Sequence, residues 1–256
     1  MHGRQLGELI AVGGRSLVYA WGDDAVIKVP LPTTPDSWIR YEASYAEAIH
    51  ATGASVPRVL GVETVDGRPA SVFERVHGRS MWSAIAEQPS QAAAFGRQLA
   101  GLQLALFDVV PPMSLPAQRD RLRCKIRNTA MAAEPLARLA LILATSSDGP
   151  PRLCHGDLHP GNVILGAKGA VIVDWFDVSR GHALGDVART SLLLGRGRHE
   201  QVPHLPSAPP GVLRELHDAH LAEICTHMDI DEADLEEWRA IGAAAQLAEA
   251  VEPWVR

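Results

Sequence analysis

The most constraining feature of this chain is a polar loop set between two short apolar runs. Residues 155–165 read His-Gly-Asp-Leu-His-Pro-Gly-Asn-Val-Ile-Leu, and residues 171–173 are Val-Ile-Val. Asp157 and Asn162 lie five positions apart, and Asp174 follows Asn162 by twelve. Because Asn162 precedes one apolar run and Asp174 follows the other, the pattern predicts a strand–loop–strand unit with both side chains at adjacent strand ends.

These side chains suit one kind of chemistry. Phosphoryl transfer from a nucleotide needs a carboxylate that orients the attacking hydroxyl, and oxygen ligands that hold Mg²⁺ on the phosphates. On this interpretation Asp157 is the catalytic base, and Asn162 and Asp174 are the metal ligands. Asp and Asn also favour turns because they form local hydrogen bonds, but the whole string together with the second Asp favours a functional site.

The same loop allows a second interpretation. His155, Asp157 and His159 form a His-Xaa-Asp-Xaa-His string, which metallohydrolases also use. A zinc or iron centre would need further His or carboxylate ligands. The chain has 11 histidines, and the others form no matching cluster in the sequence. Metal hydrolysis is therefore the weaker hypothesis.

The first third of the sequence predicts strands and one helix. β-Branched or aromatic runs predict five strands, near residues 9–12, 17–20, 25–29, 58–62 and 70–76. Asp66-Gly67 is a turn between the last two. A helix is predicted over residues 35–52, with Thr34 as its N-cap.

Beyond Gly78 the pattern changes to helices. Apolar residues at helical spacing predict helices over residues 91–107, 116–144 with a break or kink at Pro135, 183–194, 212–228 and 231–254. A strand-rich part followed by a helical part indicates an α+β chain of two lobes, residues 1–77 and residues 78–256.

The string Asp-Leu-His-Pro-Gly-Asn and the Asp174-Trp175 pair resemble the aminoglycoside phosphotransferase and choline kinase branch of the kinase-like fold. The resemblance extends from the first hairpin to Asp186, and the remaining residues match it only in being helical. It implies a bilobal protein-kinase-like fold: a nucleotide-binding lobe built on a five-stranded antiparallel sheet with one helix, and a mostly helical lobe that binds the acceptor. It also implies a Mg²⁺-dependent small-molecule kinase, which moves the γ-phosphoryl group of ATP or GTP to a hydroxyl of a small polar molecule such as an aminoglycoside or another antibiotic.

Two alternatives use the same fold. A catalytically idle nucleotide-binding or interaction module would be expected to lack at least one residue of the site, and all of them are present in the sequence. A protein kinase would need an activation loop and an Ala-Pro-Glu segment, and the sequence between Asp174 and Asp186 contains neither.

Lys28 interrupts an apolar strand, where an unpaired ammonium group would cost desolvation free energy. In the resembling fold this lysine bridges the α- and β-phosphates of the nucleotide and a Glu on the following helix. Glu42 is the preferred candidate for that Glu, because it lies two turns into the predicted helix beside small and apolar residues. Glu47 is the alternative.

Gly13, Gly14 and Ser16 lie between the first two strands, where the resembling fold places a loop that covers the phosphates. Glycine lets backbone amides approach anions closely, although the segment lacks the Gly-Xaa-Gly-Xaa-Xaa-Gly form of protein kinases. Glu74 and Val76 lie where the fifth strand runs into the lobe crossing. In the resembling fold, the adenine base of the nucleotide binds to backbone groups at this crossing.

The resemblance assigns structural support to two further residues. His155 would pack and form hydrogen bonds behind the loop. Asp186 would brace the loop by accepting backbone hydrogen bonds, although it could also cap the helix that follows. His159 and Asp177 stay open, since each is either a pocket residue or part of a surface loop.

The acceptor is less constrained. Residues 215–255 carry 11 acidic residues and one Arg. Such a field would attract a cationic acceptor such as an aminoglycoside, or the charges could simply cover exposed helix faces. The basic run at residues 119–127 is interpreted as a solvated helix face, and Trp238 as either core or the wall of a sugar pocket.

Composition excludes several classes of protein. A formal net charge of −6 argues against a sequence-independent nucleic-acid binder. Three widely spaced cysteines argue against a disulfide framework or a cysteine zinc site. The sequence shows no signal peptide and no membrane-length apolar stretch, so we expect a cytoplasmic protein without nucleic-acid or membrane partners.

Overall fold

The structure, a computed structural model, describes residues 5–127, 133–145, 150–195 and 210–251. Within these ranges an antiparallel sheet with one long helix comes first, and the chain after residue 80 is mostly helical. None of the helices in the described ranges combines the length and the apolar character needed to cross a membrane.

Five antiparallel strands form the N-terminal sheet, in the order β1-β2-β3-β5-β4. They are β1 (Leu9–Val12), β2 (Ser16–Ala20), β3 (Ala25–Pro30), β4 (Val59–Val65) and β5 (Arg68–Glu74). The β4–β5 hairpin turns at Asp66 and Gly67, whose φ angles of 50° and 79° are left-handed. Asp and Gly tolerate this conformation, and a turn of this kind matches the twist of the two strands. The sheet and the single helix after β3 confirm the predicted fold class.

Helix α1 (Asp36–His50) packs against the sheet. Its buried face is Ile39, Glu42, Ala43, Ala46 and Ile49, at helical spacing. The predicted N-cap is wrong, because the N-cap residue is Pro35 in an extended conformation. Thr34 lies outside the helix, and its hydroxyl donates to the carbonyl oxygen of Arg15 at 2.6 Å.

The C-terminal part consists mainly of helices. Those in the described ranges are α2 (Met81–Glu87), α3 (Ala92–Phe107), α4 (Gln118–Arg127), α5 (Ala133–Thr145), α6 (Ala183–Gly195), α7 (Pro210–His227) and α8 (Glu232–Val251). The helices predicted near residues 91–107, 183–194 and 212–228 are confirmed with small shifts at their ends, and α8 confirms the last one as far as the described residues reach.

Two parts of this region differ from the prediction. In the described residues, the helix expected over residues 116–144 corresponds to α4 and α5, residues 128–132 lie outside the described ranges, and Pro135 lies in the first turn of α5, where the missing amide hydrogen is tolerated. The sequence analysis also missed α2, which is too short to show a clear period. The side chain of Ser80 caps it by accepting a hydrogen bond from the backbone of Ser83 at 3.1 Å.

Five short strands carry the polar loop. They are β6 (Gly78–Ser80), β7 (Arg152–Cys154), β8 (Val163–Gly166), β9 (Gly169–Ile172) and β10 (Ser179–Gly181). Strands β6, β8 and β9 form one sheet, and β7 pairs with β10. The polar loop connects β7 to β8, and the next loop connects β9 to β10. The boundary proposed between residues 77 and 78 falls between β5, in the large sheet, and β6, which pairs with β8.

Apolar residues form the floor beneath this unit. One buried cluster contains residues from these strands and loops together with residues from α1, α2, α3, α6 and α7. Its members between β7 and β10 are Leu153, Leu158, Val163, Ile172, Trp175 and Val178. A second cluster joins α3 to α8, and a third lies against the N-terminal sheet. Both polar loops are therefore anchored on a packed core, which fixes the positions of their side chains.

Candidate active site

Asp157 and Asn162 are brought together by a single 3₁₀ turn, Pro160–Asn162. The backbone amide of Asn162 donates to the carbonyl oxygen of His159 at 2.9 Å. Asn162 Nδ2 donates to the carbonyl oxygen of Asp157 at 2.9 Å and lies 3.5 Å from Asp157 Oδ2. Because the nitrogen side of the Asn162 amide faces Asp157, its Oδ1 remains an acceptor for another group.

Asp174 reaches the same place from the end of β9. Val163 pairs with Ile172 across β8 and β9, and the backbone amide of Val173 donates to the carbonyl oxygen of Asn162 at 2.9 Å. Asp174 has a left-handed φ of 64°, which Asp tolerates better than most residues. Its side chain is 42% exposed and hence accessible to a ligand.

The oxygens of Asn162 and Asp174 fit a magnesium ion in their chemistry. Mg²⁺ prefers hard oxygen ligands and usually takes only one or two from protein, with phosphates and water completing the octahedron. Within the described ranges, no three His, Cys, Asp or Glu side chains form a group that could hold a metal ion. A nucleotide-bound Mg²⁺ needs no such group.

Lys28 joins the sheet to this site. Its ammonium group forms ion pairs with Glu42 on α1 and, at 3.1 Å, with Asp174 Oδ1. Glu42 is buried, whereas Glu47 is exposed. The structure therefore brings Glu42, the preferred candidate, to Lys28.

The charges of Lys28, Glu42 and Asp174 affect one another. Burial favours the neutral amine of Lys28, but the carboxylates of Asp174 and Glu42 outweigh it and raise the pKa of Lys28. Burial also raises the pKa of Glu42, although Lys28 opposes that shift. The net pKa of Asp174 is lowered, because Lys28 and Arg15 outweigh the desolvation of its carboxylate. Lys28 and Asp174 are thus a charged pair, and Asp174 is also one of the two proposed metal ligands.

The β1–β2 turn carries the predicted phosphate loop. The backbone amide of Gly13 donates to the carbonyl oxygen of Ser16 at 2.9 Å, and a side chain at Gly14 would meet open space. Ser16 is buried at the start of β2. The hydroxyl of Ser16 is therefore less accessible than the backbone of the two glycines. Arg15, which precedes Ser16, extends its side chain to Asp177 at 3.2 Å.

The predicted nucleotide-base segment lies between the two sheets. Glu74 ends β5, its side chain is exposed, and its backbone amide donates to the carbonyl oxygen of Arg58 at 2.8 Å. Val76 is half-buried in the connection to β6. The side chain of Glu74 therefore lies outside the core.

His155 lies fully buried behind the polar loop. Its Nδ1 accepts from the backbone amide of Asp157 at 3.2 Å, and its Nε2 lies 3.2 Å from the carbonyl oxygen of Val173. The ring also packs edge-on against Trp175, with centroids 4.7 Å apart. Both ring nitrogens are occupied by backbone groups, so this imidazole links the two loops and has no nitrogen left for a metal.

Asp186 holds the loop from the side of α6. Its Oδ1 accepts from the backbone amide of Gly156 at 2.7 Å, and its Oδ2 accepts from Gln103 Nε2 at 2.9 Å. The carboxyl group is buried, and burial raises its pKa despite these donors. The hydrogen bond from Gly156 matches the backbone contact that the family resemblance implies for Asp186.

Gly156 is the tightest point of the loop, and replacing it with alanine is expected to lower both stability and activity. Its φ of 79° is left-handed, which costs an L-residue about 1–2 kcal/mol, and an added Cβ would overlap the carbonyl oxygen of Asp177. Chemical denaturation would measure the loss of stability. Gly101→Ala is the matched control: this helical glycine has open space around it, so the substitution should stabilise the protein by about 0.5–1 kcal/mol.

The sequence analysis missed Arg189 on α6. Its Nη2 lies 3.2 Å from Asp157 Oδ1, and its Nε donates to the carbonyl oxygen of Gly156 at 3.2 Å. The side chain is only 12% exposed. The available signal was a single basic residue in a mostly apolar helix, three positions after Asp186.

A second missed feature surrounds Asp177. This buried carboxylate is bound by Arg15 at 3.2 Å, Lys125 at 2.9 Å and Arg121 at 3.4 Å. Burial would raise its pKa, but the three cations hold the pKa of Asp177 far below its usual value. The interpretation of residues 119–127 as a solvated face is therefore wrong for Arg121 and Lys125, whose spacing of four on α4 places both on Asp177.

The antiparallel sheet, the paired Lys28 and Glu42, and the two loops together define a kinase-like fold. Residues 7–208 match the phosphotransferase enzyme family, so the chain belongs to that family. No curated protein sequence matches the chain.

Solved structures of phosphotransferases have a similar fold. An aminoglycoside-3'-phosphotransferase of type VIII is 23% identical with a TM-score of 0.64, over 93% of this chain and 91% of that one. An aminoglycoside phosphotransferase from Streptomyces rimosus is 18% identical with a TM-score of 0.63, over 93% and 92% of the two chains. An amicoumacin kinase, solved with AMP-PNP, Ca²⁺ and its substrate, is 16% identical with a TM-score of 0.61, over 96% and 81%.

Proposed function

We propose that this protein transfers the γ-phosphoryl group of ATP or GTP to a hydroxyl of a small polar acceptor. The observation that carries the proposal is the convergence of Asp157, Asn162 and Asp174 at one end of the β8–β9 hairpin, with Lys28 bonded to Asp174. Membership of the phosphotransferase family supports it. Structures of similar fold hold AMP-PNP, GDP, or ADP with streptomycin.

The nucleotide would bind mainly to residues 1–77. Backbone amides around Gly13 and Gly14 would cover the phosphates, and the backbone of residues 74–76 would bind the base. Lys28, held by Glu42, would position the α- and β-phosphates. Asn162 and Asp174 would hold Mg²⁺, which when bound neutralises charge on the phosphates.

The reaction would take place at Asp157. The acceptor hydroxyl oxygen forms a bond to the γ-phosphorus while the bond from that phosphorus to the β–γ bridging oxygen breaks. The nucleoside diphosphate leaves with the electron pair of that bond, and the hydroxyl proton passes to the Asp157 carboxylate. Arg189 and Asn162 bind this residue from two sides, which keeps its carboxylate in one orientation.

A coupled assay of nucleoside diphosphate release tests the proposal. The wild-type protein is supplied with ATP or GTP and with a panel of amino alcohols, sugars, aminoglycosides and other hydroxylated antibiotics. We expect at least one acceptor to stimulate release to a rate on the order of 1–100 s⁻¹, as in other kinases, and EDTA to abolish it.

The same assay distinguishes an active phosphotransferase from a catalytically idle nucleotide-binding module. Such a protein would bind nucleotide but show neither acceptor-stimulated release nor slow hydrolysis that depends on Mg²⁺ and Asp157. Absence of both activities in a protein that binds nucleotide would overturn the proposed function.

A further inference from the structure

A network of buried hydrogen bonds joins α3, α6 and α7. Gln103 on α3 lies at its centre: its Nε2 donates to Asp186 Oδ2 at 2.9 Å and to Thr190 Oγ1 at 3.1 Å, both on α6. On the other side of the amide, Gln103 Oε1 lies 2.9 Å from Nε2 of His220 on α7. All four side chains are buried. This Gln103 network therefore crosses the core of the helical part of the protein.

The direction of each hydrogen bond in the Gln103 network follows from its partners. Both oxygens of Asp186 accept, from Gly156 and from Gln103, as those of an ionised carboxylate do. Burial raises the pKa of Asp186, and the hydrogen bond from Gln103 is the largest contribution that opposes this rise. The amide nitrogen of Gln103 must therefore face Asp186, which leaves Oε1 to accept from His220. Burial lowers the pKa of His220 to about 3, so its neutral imidazole carries one proton, and this hydrogen bond requires that proton on Nε2.

Close packing of α3 against α7 fixes His220 relative to Gln103. At Gly96, two turns before Gln103, an added Cβ would overlap the carbonyl oxygen of Leu216 and crowd the backbone nitrogen of His220. Within the part of the chain that the structure describes, His220 Nδ1 has no hydrogen-bond partner. A buried acceptor without a donor costs free energy. The contribution of this imidazole is therefore the hydrogen bond from its Nε2 to Gln103 rather than stability.

The Gln103 network ends at the polar loop. Asp186 Oδ1 accepts from the backbone amide of Gly156 at 2.7 Å. Gly156 has a left-handed φ of 79°, and the carbonyl oxygen of Asp177 occupies the space where a Cβ would lie. Because Gly156 directly precedes Asp157, the orientation of its peptide determines where the side chain of Asp157 points. A shift of Asp186 would thus be transmitted to the proposed base.

We propose that Gln103, held by His220, is a positioning residue for phosphoryl transfer. It directs the carboxylate of Asp186 toward Gly156, and through this contact it orients Asp157. Because Gln103 is fully buried, it acts without contact with either substrate. The inference rests on the proposed function, in which Asp157 is the base.

Hydrolysis of ATP and GTP in the presence of Mg²⁺, with water as the acceptor, measures the effect on catalysis. Gln103→Met and His220→Phe keep the bulk of each side chain but remove its hydrogen bonds. Each should lower kcat by about 10–100-fold, since a displacement of about 1 Å at a reacting group can have an effect of this size. The nucleotide KM should be unchanged, because in the proposed function the nucleotide binds mainly to residues 1–77. His220→Gln, which places an amide donor near the same point, should restore most of the rate.

Gln246→Met is the matched control. Gln246 on α8 is also a buried glutamine, but neither its Oε1 nor its Nε2 has a hydrogen-bond partner among the residues that the structure describes. Its replacement should leave kcat unchanged. Thermal unfolding of all four variants distinguishes a loss of folded protein from a loss of rate.

A second measurement follows the polar loop itself and needs no catalytic activity. In protein labelled with isotope-enriched glycine, NMR measures hydrogen exchange at single glycine amides. The amide of Gly156 should exchange about 10-fold faster in Gln103→Met than in the wild type, because its hydrogen bond to a charged group is weakened. The amide of Gly96, on the same helix as Gln103, should exchange at the wild-type rate. A purely structural role of Gln103 would instead accelerate exchange at both amides.

The outcomes separate this inference from the proposed function. If the rate falls while the Gly156 amide exchanges as in the wild type, or if the amide exchanges faster while the rate is unchanged, Gln103 does not position the base. Equal rates in Gln103→Met and Gln246→Met would also overturn the inference and leave the kinase assignment intact. If exchange at Gly156 depends on Gln103 but the wild type neither hydrolyses nucleotide nor phosphorylates any acceptor, the proposed function fails, and the catalytic role of Gln103 fails with it.

Discussion

Asp157→Asn is expected to reduce phosphoryl transfer by about 10²–10⁴-fold, the usual contribution of a positioned general base. Asparagine has nearly the same shape and keeps the main-chain oxygen that binds Asn162, but it cannot accept the hydroxyl proton. Nucleotide affinity should be unchanged, because in this assignment Asp157 contacts the acceptor. Steady-state release of nucleoside diphosphate measures the rate of phosphoryl transfer, and calorimetric titration measures the nucleotide affinity.

The control for this substitution is Asp120→Asn, which removes a carboxylate from an exposed ion pair on α4. The rate of phosphoryl transfer by Asp120→Asn should match that of the wild type. In Asp157→Asn, Arg189 loses the negative charge of its partner but keeps the carbonyl oxygen of Gly156, so a large loss of thermal stability is not expected. Turnover at the wild-type rate would contradict the assignment of Asp157 as the base.

Asp174→Ala is expected to remove the Mg²⁺-dependent part of nucleotide binding. A lost ligand should cost at least about 10–100-fold in metal affinity, since even outer-sphere partners contribute that much. Alanine also fits the left-handed backbone at this position poorly, so Asp174→Asn is the sharper variant: it tolerates the conformation but carries no charge. Titrations of nucleotide with Mg²⁺ and with EDTA measure the effect.

Asp66→Asn provides the matched control, because Asp66 is the other non-glycine residue with a left-handed φ among those the structure describes. It lies in the β4–β5 turn, and its substitution should alter neither binding curve. If neither Asp174→Ala nor Asp174→Asn changed the Mg²⁺ dependence of nucleotide binding, Asp174 could not be a metal ligand. The loss is expected even though Lys28 also loses a partner, since Glu42 still holds that lysine.

Local patterns predicted most of the fold. β-Branched or aromatic runs located all five strands of the large sheet, because each run is short and bounded by turn residues. The left-handed turn at Asp66-Gly67 is encoded by two residues that tolerate that conformation. The misses were also local in cause: α2 is too short for a period, and Pro135 is compatible with a first turn as well as with a kink.

Residues far apart in sequence were harder to assign. Arg189 lies 32 positions from Asp157, and Arg15 lies 162 positions from Asp177. Nothing in the sequence near these arginines specifies which carboxylate they bind. The basic run on α4 shows the same limit, since alternating charges look like a solvated face until the position of Asp177 is known.

The sequence by itself determined how the candidate donor-side residues are placed, because Asn162 and Asp174 flank one hairpin whose register is set by local strand pairing, and Asp157 lies five residues before Asn162. It also supplied the family resemblance and the order of sheet and helices. Only the tertiary structure decided which cations surround Asp177. Arg15 comes from the β1–β2 turn and Arg121 and Lys125 from α4, and the packing of these distant elements fixes the contacts.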